Sequence, residues 1–240
     1  ADWKLHATYP PPEAGPHDGI STARLVDADG DGGLEIVVGY FGTVGVQGAS
    51  LDGRRLWKER STGAVLDLAI GPPGDEGRGL WCATGEGRIL PLSLTGRPGA
   101  PFAAGAWRLR SLATGPVAPD GHWAAIGMAG TGVGHNVALG IESDGQVAWE
   151  LPLADGVHRE ATIEPIAWAD LLGTPRRQWL IAAPDGAVTV AWADGRVVDT
   201  YRHGAALAGI GGYRHGGDGF IVIATRTALE AFRMEDIALD

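Results

Sequence analysis

Cysteine is almost absent: Cys82 is the only one in 240 residues. No intramolecular disulfide can form, so redox compartment is left open. Cys82 lies in the strand-like run Leu80-Trp81-Cys82-Ala83-Thr84 and is expected to be a small buried hydrophobe. Long apolar runs are missing too. None reaches the roughly 18 residues that suggest a membrane-spanning helix. Amphipathic helical periodicity is equally scarce: Asp170-Leu171-Leu172-Gly173 is too short, and Pro165 and Pro175 flank it. Only Thr227 to Asp240 is ambiguous between helix and strand. Without helices between strands, a doubly wound fold is excluded.

Positive charge is also in short supply. Nineteen Lys and Arg face 29 Asp and Glu, a formal charge of -10. Such a surface repels nucleic acid and anionic membranes, and neither is expected as the main partner. No signal-peptide pattern is visible, although a trimmed chain would look the same. A secreted or periplasmic location is favoured slightly if such a segment was removed, and a cytoplasmic one remains compatible.

What the chain has instead is 39 glycines and 15 prolines, spread along its whole length. That suits many short strands joined by tight turns. The organising stretch runs from Leu25 to Trp57: strand, acidic turn, strand, glycine loop, strand, Asp52-Gly53 turn, strand. Equivalent turns recur at Thr95-Gly96, Asp144-Gly145 and Asp194-Gly195, at intervals of 43, 49 and 50 residues. This is the period of a four-stranded propeller blade.

The repeat predicts an all-β, five-bladed β-propeller of four-stranded antiparallel blades, a single domain over residues 1–240. The blades are expected at about 20–60, 64–104, 108–153, 162–203 and 205–236. In the second unit the outer strand, around Arg97 to Phe102, carries two prolines, which suit an edge position. The fifth unit runs short of an outer strand. Residues 2–9 are expected to supply it, because Trp3-Lys4-Leu5 resembles Leu56-Trp57-Lys58; Ile237 to Leu239 is the alternative.

Asp27, Asp29 and Asp31 alternate with small residues and lead into Gly32-Gly33-Leu34-Glu35. Alternating carboxylates in a glycine turn converge on a hard cation, and a flexible loop suits calcium better than magnesium. The expected ligands are Asp27, Asp29, Asp31, the Gly33 carbonyl and Glu35, in a structural role. An ordinary acidic turn is the bland alternative.

Asp27 to Gly39 resembles the calcium-binding signature of FG-GAP and VCBS-type propeller repeats. The Asp-Gly turns followed by a tryptophan-bearing strand (Trp57, Trp149) are similar to quinoprotein-like repeats, a looser likeness over nearly the whole chain. Families with such repeats include integrin heads, lectins, quinoprotein dehydrogenases and propeller polysaccharide lyases. The resemblance implies a propeller and a calcium turn; no quinone-cofactor site is matched.

In a propeller, the loops leading into each inner strand share a face with those joining second to third strands. By that register His17, Arg108, His158, Arg159, Glu160 and His203 lie with Tyr40, Glu86, His135, Asn136, Asp185 and Arg226. Histidines from several blades around one axis predict a pocket. Two chemistries follow. His17, His158 and His203 could hold a divalent transition metal with Glu160 nearby. Alternatively, a histidine and Tyr40 would serve as base and acid while Arg159 or Arg108 holds a carboxylate, as lyase or isomerase proton abstraction needs.

The expected ligand contacts are Trp107, Arg108, His135, Asn136, Asp185 and Arg226. The expectation is therefore an enzyme acting on a small polar or carbohydrate-like substrate. The alternative is a non-catalytic sugar-binding or protein-interaction propeller. Trp57, Trp81, Trp123, Trp149, Trp179 and Trp192 fall within strands and are expected to pack between blades. The glycine-rich loop Ala129 to Asn136 has neither a following helix nor an adjacent lysine, so it is not a phosphate cradle.

Overall fold

The computed structural model describes residues 4–12, 15–74, 77–115, 125–130, 135–142, 145–156, 164–174 and 177–234. They form five antiparallel sheets of three or four strands, and no helix among them is long and apolar enough to cross a membrane. Two compact units divide the chain, Ala1–Thr114 and Gly115–Asp240.

In the first unit, β1 (Ile20–Val26), β2 (Glu35–Tyr40), β3 (Val46–Ser50) and β4 (Arg55–Glu59) form a sheet in sequence order. β5 (Val65–Gly74), β6 (Gly77–Thr84) and β7 (Ile89–Ser93) form the second sheet, and β8 (Leu109–Thr114) follows. In the second unit β9 (Ala125–Gly130), β10 (Asn136–Ile141) and β11 (Val147–Leu153) are successive neighbours. β12 (Ile166–Ala169), β13 (Gln178–Ala182), β14 (Ala187–Trp192) and β15 (Val197–Arg202) form a four-stranded sheet. β16 (Gly209–His215), β17 (Asp218–Ala224) and β18 (Leu229–Arg233) form the last.

Burial explains why the strands differ in composition. Gln178–Ala182 and Ala187–Trp192 are buried at every position, so both faces of these middle strands are covered and, Gln178 and Thr189 apart, their residues are apolar. The outer strand Val197–Arg202 is half exposed and carries polar side chains. In the first unit, Val26, Val37 and Val46 of the first sheet pack with Leu68, Leu80, Cys82, Leu90 and Leu92 of the second. In the second unit, Leu180, Val188 and Val190 pack with Ile221 and Ile223. Each core is a seam between neighbouring sheets.

The turns used as a ruler share one geometry. Gly53, Gly96, Gly145 and Gly195 each donate their N–H to the carbonyl three residues earlier, at 2.9–3.0 Å. Each has φ between +82° and +88°, a region that favours glycine. The ring of Trp57 lies against Gly48 in its own sheet and against the turn glycine Gly96 of the next. Trp149 does the same with Gly140 and Gly195, and its Nε1 donates to Ala193 O at 2.9 Å. The tryptophans at these outer-strand positions therefore tie one sheet to its successor.

Two expectations are revised and one ambiguity is resolved. Residues 4–8 form no strand; Tyr9 donates to Gln47 Oε1 at 2.5 Å, and residues 7 and 8 lie against Gly53 within the first unit. The strand-like alternation of this segment does not produce strand pairing among its described residues. The outer strand of the second sheet is reduced to two isolated bridges, Leu92 with Pro98 and Ile89 with Phe102. Pro98 and Pro101 lack the N–H groups that a ladder needs. The ambiguous C-terminal stretch contains strand β18, while residues 235–240 lie outside the described residues.

Candidate functional site

Antiparallel connectivity gives the first sheet two chemically distinct ends. At one end, the loop before β1 meets the loop between β2 and β3: Phe41 N–H donates to Gly19 O at 3.0 Å. His17 and Tyr40 come together there, ring centroids 5.3 Å apart in an edge-to-face arrangement. His17 is exposed, and its Nδ1 accepts the Gly19 N–H at 3.1 Å. Tyr40 is 1% exposed, and its hydroxyl has no hydrogen-bond partner among the described residues. Burial, then the neighbouring Tyr9, push its phenol up to about 12, with Arg55 opposing. A phenol so buried and so reluctant to ionise is a poor general acid at neutral pH.

Several other predicted site residues are held by local partners. His203 Nε2 lies 2.6 Å from Glu230 Oε2, beside the rings of Tyr201 and Phe232. His135 Nδ1 lies 2.8 Å from Asp155 Oδ1, with both side chains exposed. Asn136 donates to Ala154 O and Gly156 O, both at 2.9 Å, and so fastens its loop. Asp185 accepts from Ala187 N–H at 3.1 Å and from Arg202 at 3.3 Å. Arg108 is exposed and lies over Gly87; Arg226 is exposed as well. Trp107 is half-buried, and its backbone N–H donates to Ala104 O. His158, Arg159 and Glu160 lie outside the described residues.

The expected catalytic pocket is therefore corrected. His17, His135 and His203 each have a ring nitrogen engaged by a local partner, and the Tyr40 hydroxyl is buried. Loop position along the repeat indicated a shared face; the side chains instead close their own loops or brace neighbouring strands. Among the described residues, no group of metal-capable side chains includes a histidine.

The opposite end of the first sheet carries the acidic turn. Asp27, Asp29 and Glu35 each offer a carboxylate oxygen, and these oxygens lie within 4.8 Å of one another. Backbone N–H groups shape the turn. Asp27 accepts from Gly30 at 2.7 Å and from Gly32 at 3.2 Å, Asp29 from Asp31 at 3.2 Å, and Glu35 from Ala28 at 2.8 Å. Asp31 Oδ1 accepts from Gly33 N–H at 2.6 Å and stands outside the three-carboxylate group. The donor set fits a hard cation: all oxygen, anionic and convergent.

One buried charge went unremarked in the sequence. Asp67, on β5, pairs with Arg24 of β1 at 3.1 Å and accepts the Leu112 N–H of β8 at 2.9 Å. It thereby joins the first strands of two sheets to β8. Burial raises its carboxyl above the ordinary range, and Arg24 and the N–H donors only partly offset this. The signal available was a lone acid inside the apolar run Val65-Leu66-Asp67-Leu68-Ala69-Ile70.

No known protein family matches the chain, and no curated protein is similar to it in sequence. Its fold is nevertheless similar to many solved structures. BBS1N in complex with ARL6DN matches with a TM-score of 0.60 at 9% identity, covering 89% of this chain and 66% of that one. The Dos1 propeller matches with a TM-score of 0.57 at 12% identity, covering 85% and 52%. The Pan2 WD40 domain from Neurospora crassa gives 0.58 at 8% identity, covering 90% and 65%. The chain thus spans between about half and two thirds of the length of these relatives. These likenesses define an all-β fold of the β-propeller kind. They do not single out FG-GAP, VCBS or quinoprotein repeats.

Proposed function

We propose that this chain is a non-catalytic β-propeller that binds a protein partner, its five sheets being the blades of one domain. The carrying observation is where its apolar surface lies. Among the described residues, six of the ten exposed large hydrophobic side chains belong to the first sheet and its turns: Ile20, Leu25, Leu34, Phe41, Leu51 and Leu56. Apolar side chains concentrated on one element mark an interaction surface more often than a reaction centre. The likeness to BBS1N, solved as a complex with ARL6DN, supports a protein partner over a small-molecule substrate.

We further propose calcium at the acidic turn, held by Asp27, Asp29 and Glu35. Bound there, the ion would supply the positive charge that lets three carboxylates converge, fixing the link between the first two strands. The reading is tested by immobilising the chain and identifying retained proteins with their stoichiometry. One partner retained at a fixed ratio, and lost with Ile20→Ser/Phe41→Ser or with Leu34→Ser/Leu51→Ser, supports it. Turnover of a substrate by the purified chain, or no stoichiometric partner, overturns it.

A further inference from the structure

We infer that the end of the first sheet bearing the acidic turn, away from His17 and Tyr40, is the docking surface, and that its occupant is a basic amphipathic segment of a partner protein. This rests on the protein-interaction reading and assigns it a place and a chemistry.

The surface follows from strand register. Leu25 pairs with Ile36, Val26 with Glu35, and Glu35 with Ser50. Side chains alternate along a strand, so Leu25 and Ile36 turn away from the seam that takes Val26, Val37 and Val46. Leu34 and Leu51 follow immediately beyond the Glu35–Ser50 pair, in the turns that flank these adjacent strands. Leu25, Leu34 and Leu51 are 55%, 45% and 43% exposed. Three leucines thus cross one end of a sheet whose centre is closed, with Val37 and Val38 at 0% and 2%.

Charge determines what such a ridge accepts. Asp27, Asp29, Asp31, Glu35 and Asp52 lie on the turns at this end; Arg54 and Arg55 are the cations beside them. Asp52 is held well inside the ionised range by its Ser50 and Arg54 hydrogen bonds. The end stays net acidic even with one divalent ion in the turn. An acidic or purely apolar partner would leave these carboxylates unmatched or desolvated, whereas Lys or Arg side chains flanking apolar ones satisfy both features. The whole-chain charge of -10 steers such a segment inward.

The test is a titration of the full chain with a fluorescent synthetic amphipathic peptide of leucine and lysine, beside a leucine and glutamate counterpart. The Leu/Lys peptide should bind, and the Leu/Glu peptide should not. Leu34→Ser/Leu51→Ser should weaken binding about tenfold, from partial burial of two leucines. Asp31→Asn/Asp52→Asn, which spares the three carboxylates of the proposed calcium site, should weaken it and flatten its salt dependence. Leu229→Ser, 74% exposed on β18, should leave it unchanged. Unaltered thermal melts would establish that the variants fold. Equal binding of the two peptides, an unaffected Leu34→Ser/Leu51→Ser variant, or an equal loss with Leu229→Ser would overturn the assignment. The two proposals fail separately: a peptide that binds elsewhere removes this surface only, whereas absence of any stoichiometric partner removes the interaction reading.

Discussion

Trp57 rests on Gly96: a Cβ added to that glycine would lie 2.4 Å from Trp57 Cε3. Gly96 also has φ +82°, so its missing side chain serves both the turn and the ring packed above it. Gly96→Ala should therefore cost about 2–4 kcal/mol, combining left-handed strain with overpacking. In a Trp57→Ala background the same change should cost at least about 1 kcal/mol less, because only the backbone strain remains. Urea melts of the four proteins check this. Additive losses would show that ring and glycine do not interact.

Asp67 gives a pH signature. Its carboxyl is raised in the folded state, so its favourable contribution is complete below the ordinary carboxylate range and is lost as pH rises through the raised value. Compared with Asp67→Asn, the wild type should lose relative stability as pH rises above the ordinary carboxylate range. Denaturant midpoints across that range provide the measurement. A wild type that gains on the variant with rising pH would mean that Arg24 outweighs burial.

Tyr40→Phe separates a packing role from a chemical one. The hydroxyl is buried with no partner among the described residues, so removing it should be neutral or stabilising by up to about 1 kcal/mol. A loss of more than that would reveal a hydrogen bond, through water or another group.

Cys82 is fully buried, and burial pushes its thiol up to about 12. Thiol reagents at pH 8 should leave it unmodified in the native chain and label it fully in denaturant. Rapid labelling of the folded protein would show that the seam between the first two sheets opens.

Calcium at the acidic turn predicts a lower melting temperature in chelator, restored by calcium. Asp27→Asn/Asp29→Asn should abolish the difference between the two conditions. A melt insensitive to chelator would leave the turn as backbone hydrogen bonding alone.

The sheets were legible in the sequence because a strand in a stacked sheet has a strong local signature. Runs such as Trp179 to Ala182, apolar along their length, and turn glycines at near-constant spacing required no knowledge of distant contacts. Convergence of Asp27, Asp29 and Glu35 was also readable, because a short turn leaves its side chains few places to go. The histidine pocket was not a local matter. Loop position placed His17 and His203 on entry loops and His135 on a second-to-third-strand loop of the same face, but their partners Gly19, Glu230 and Asp155 were set by side-chain direction and loop closure. Asp67 was overlooked because Leu112, whose N–H it accepts, lies far along the chain.

By itself, the sequence determined the all-β class, the five repeats and the acidic turn, since each depends on alternation, glycine conformation or charge within a few residues. Tertiary structure alone decided which histidines are engaged, where buried charge is paired and which leucines stay exposed. Those outcomes depend on what packs against each side chain, and that packing is fixed by strands distant in sequence.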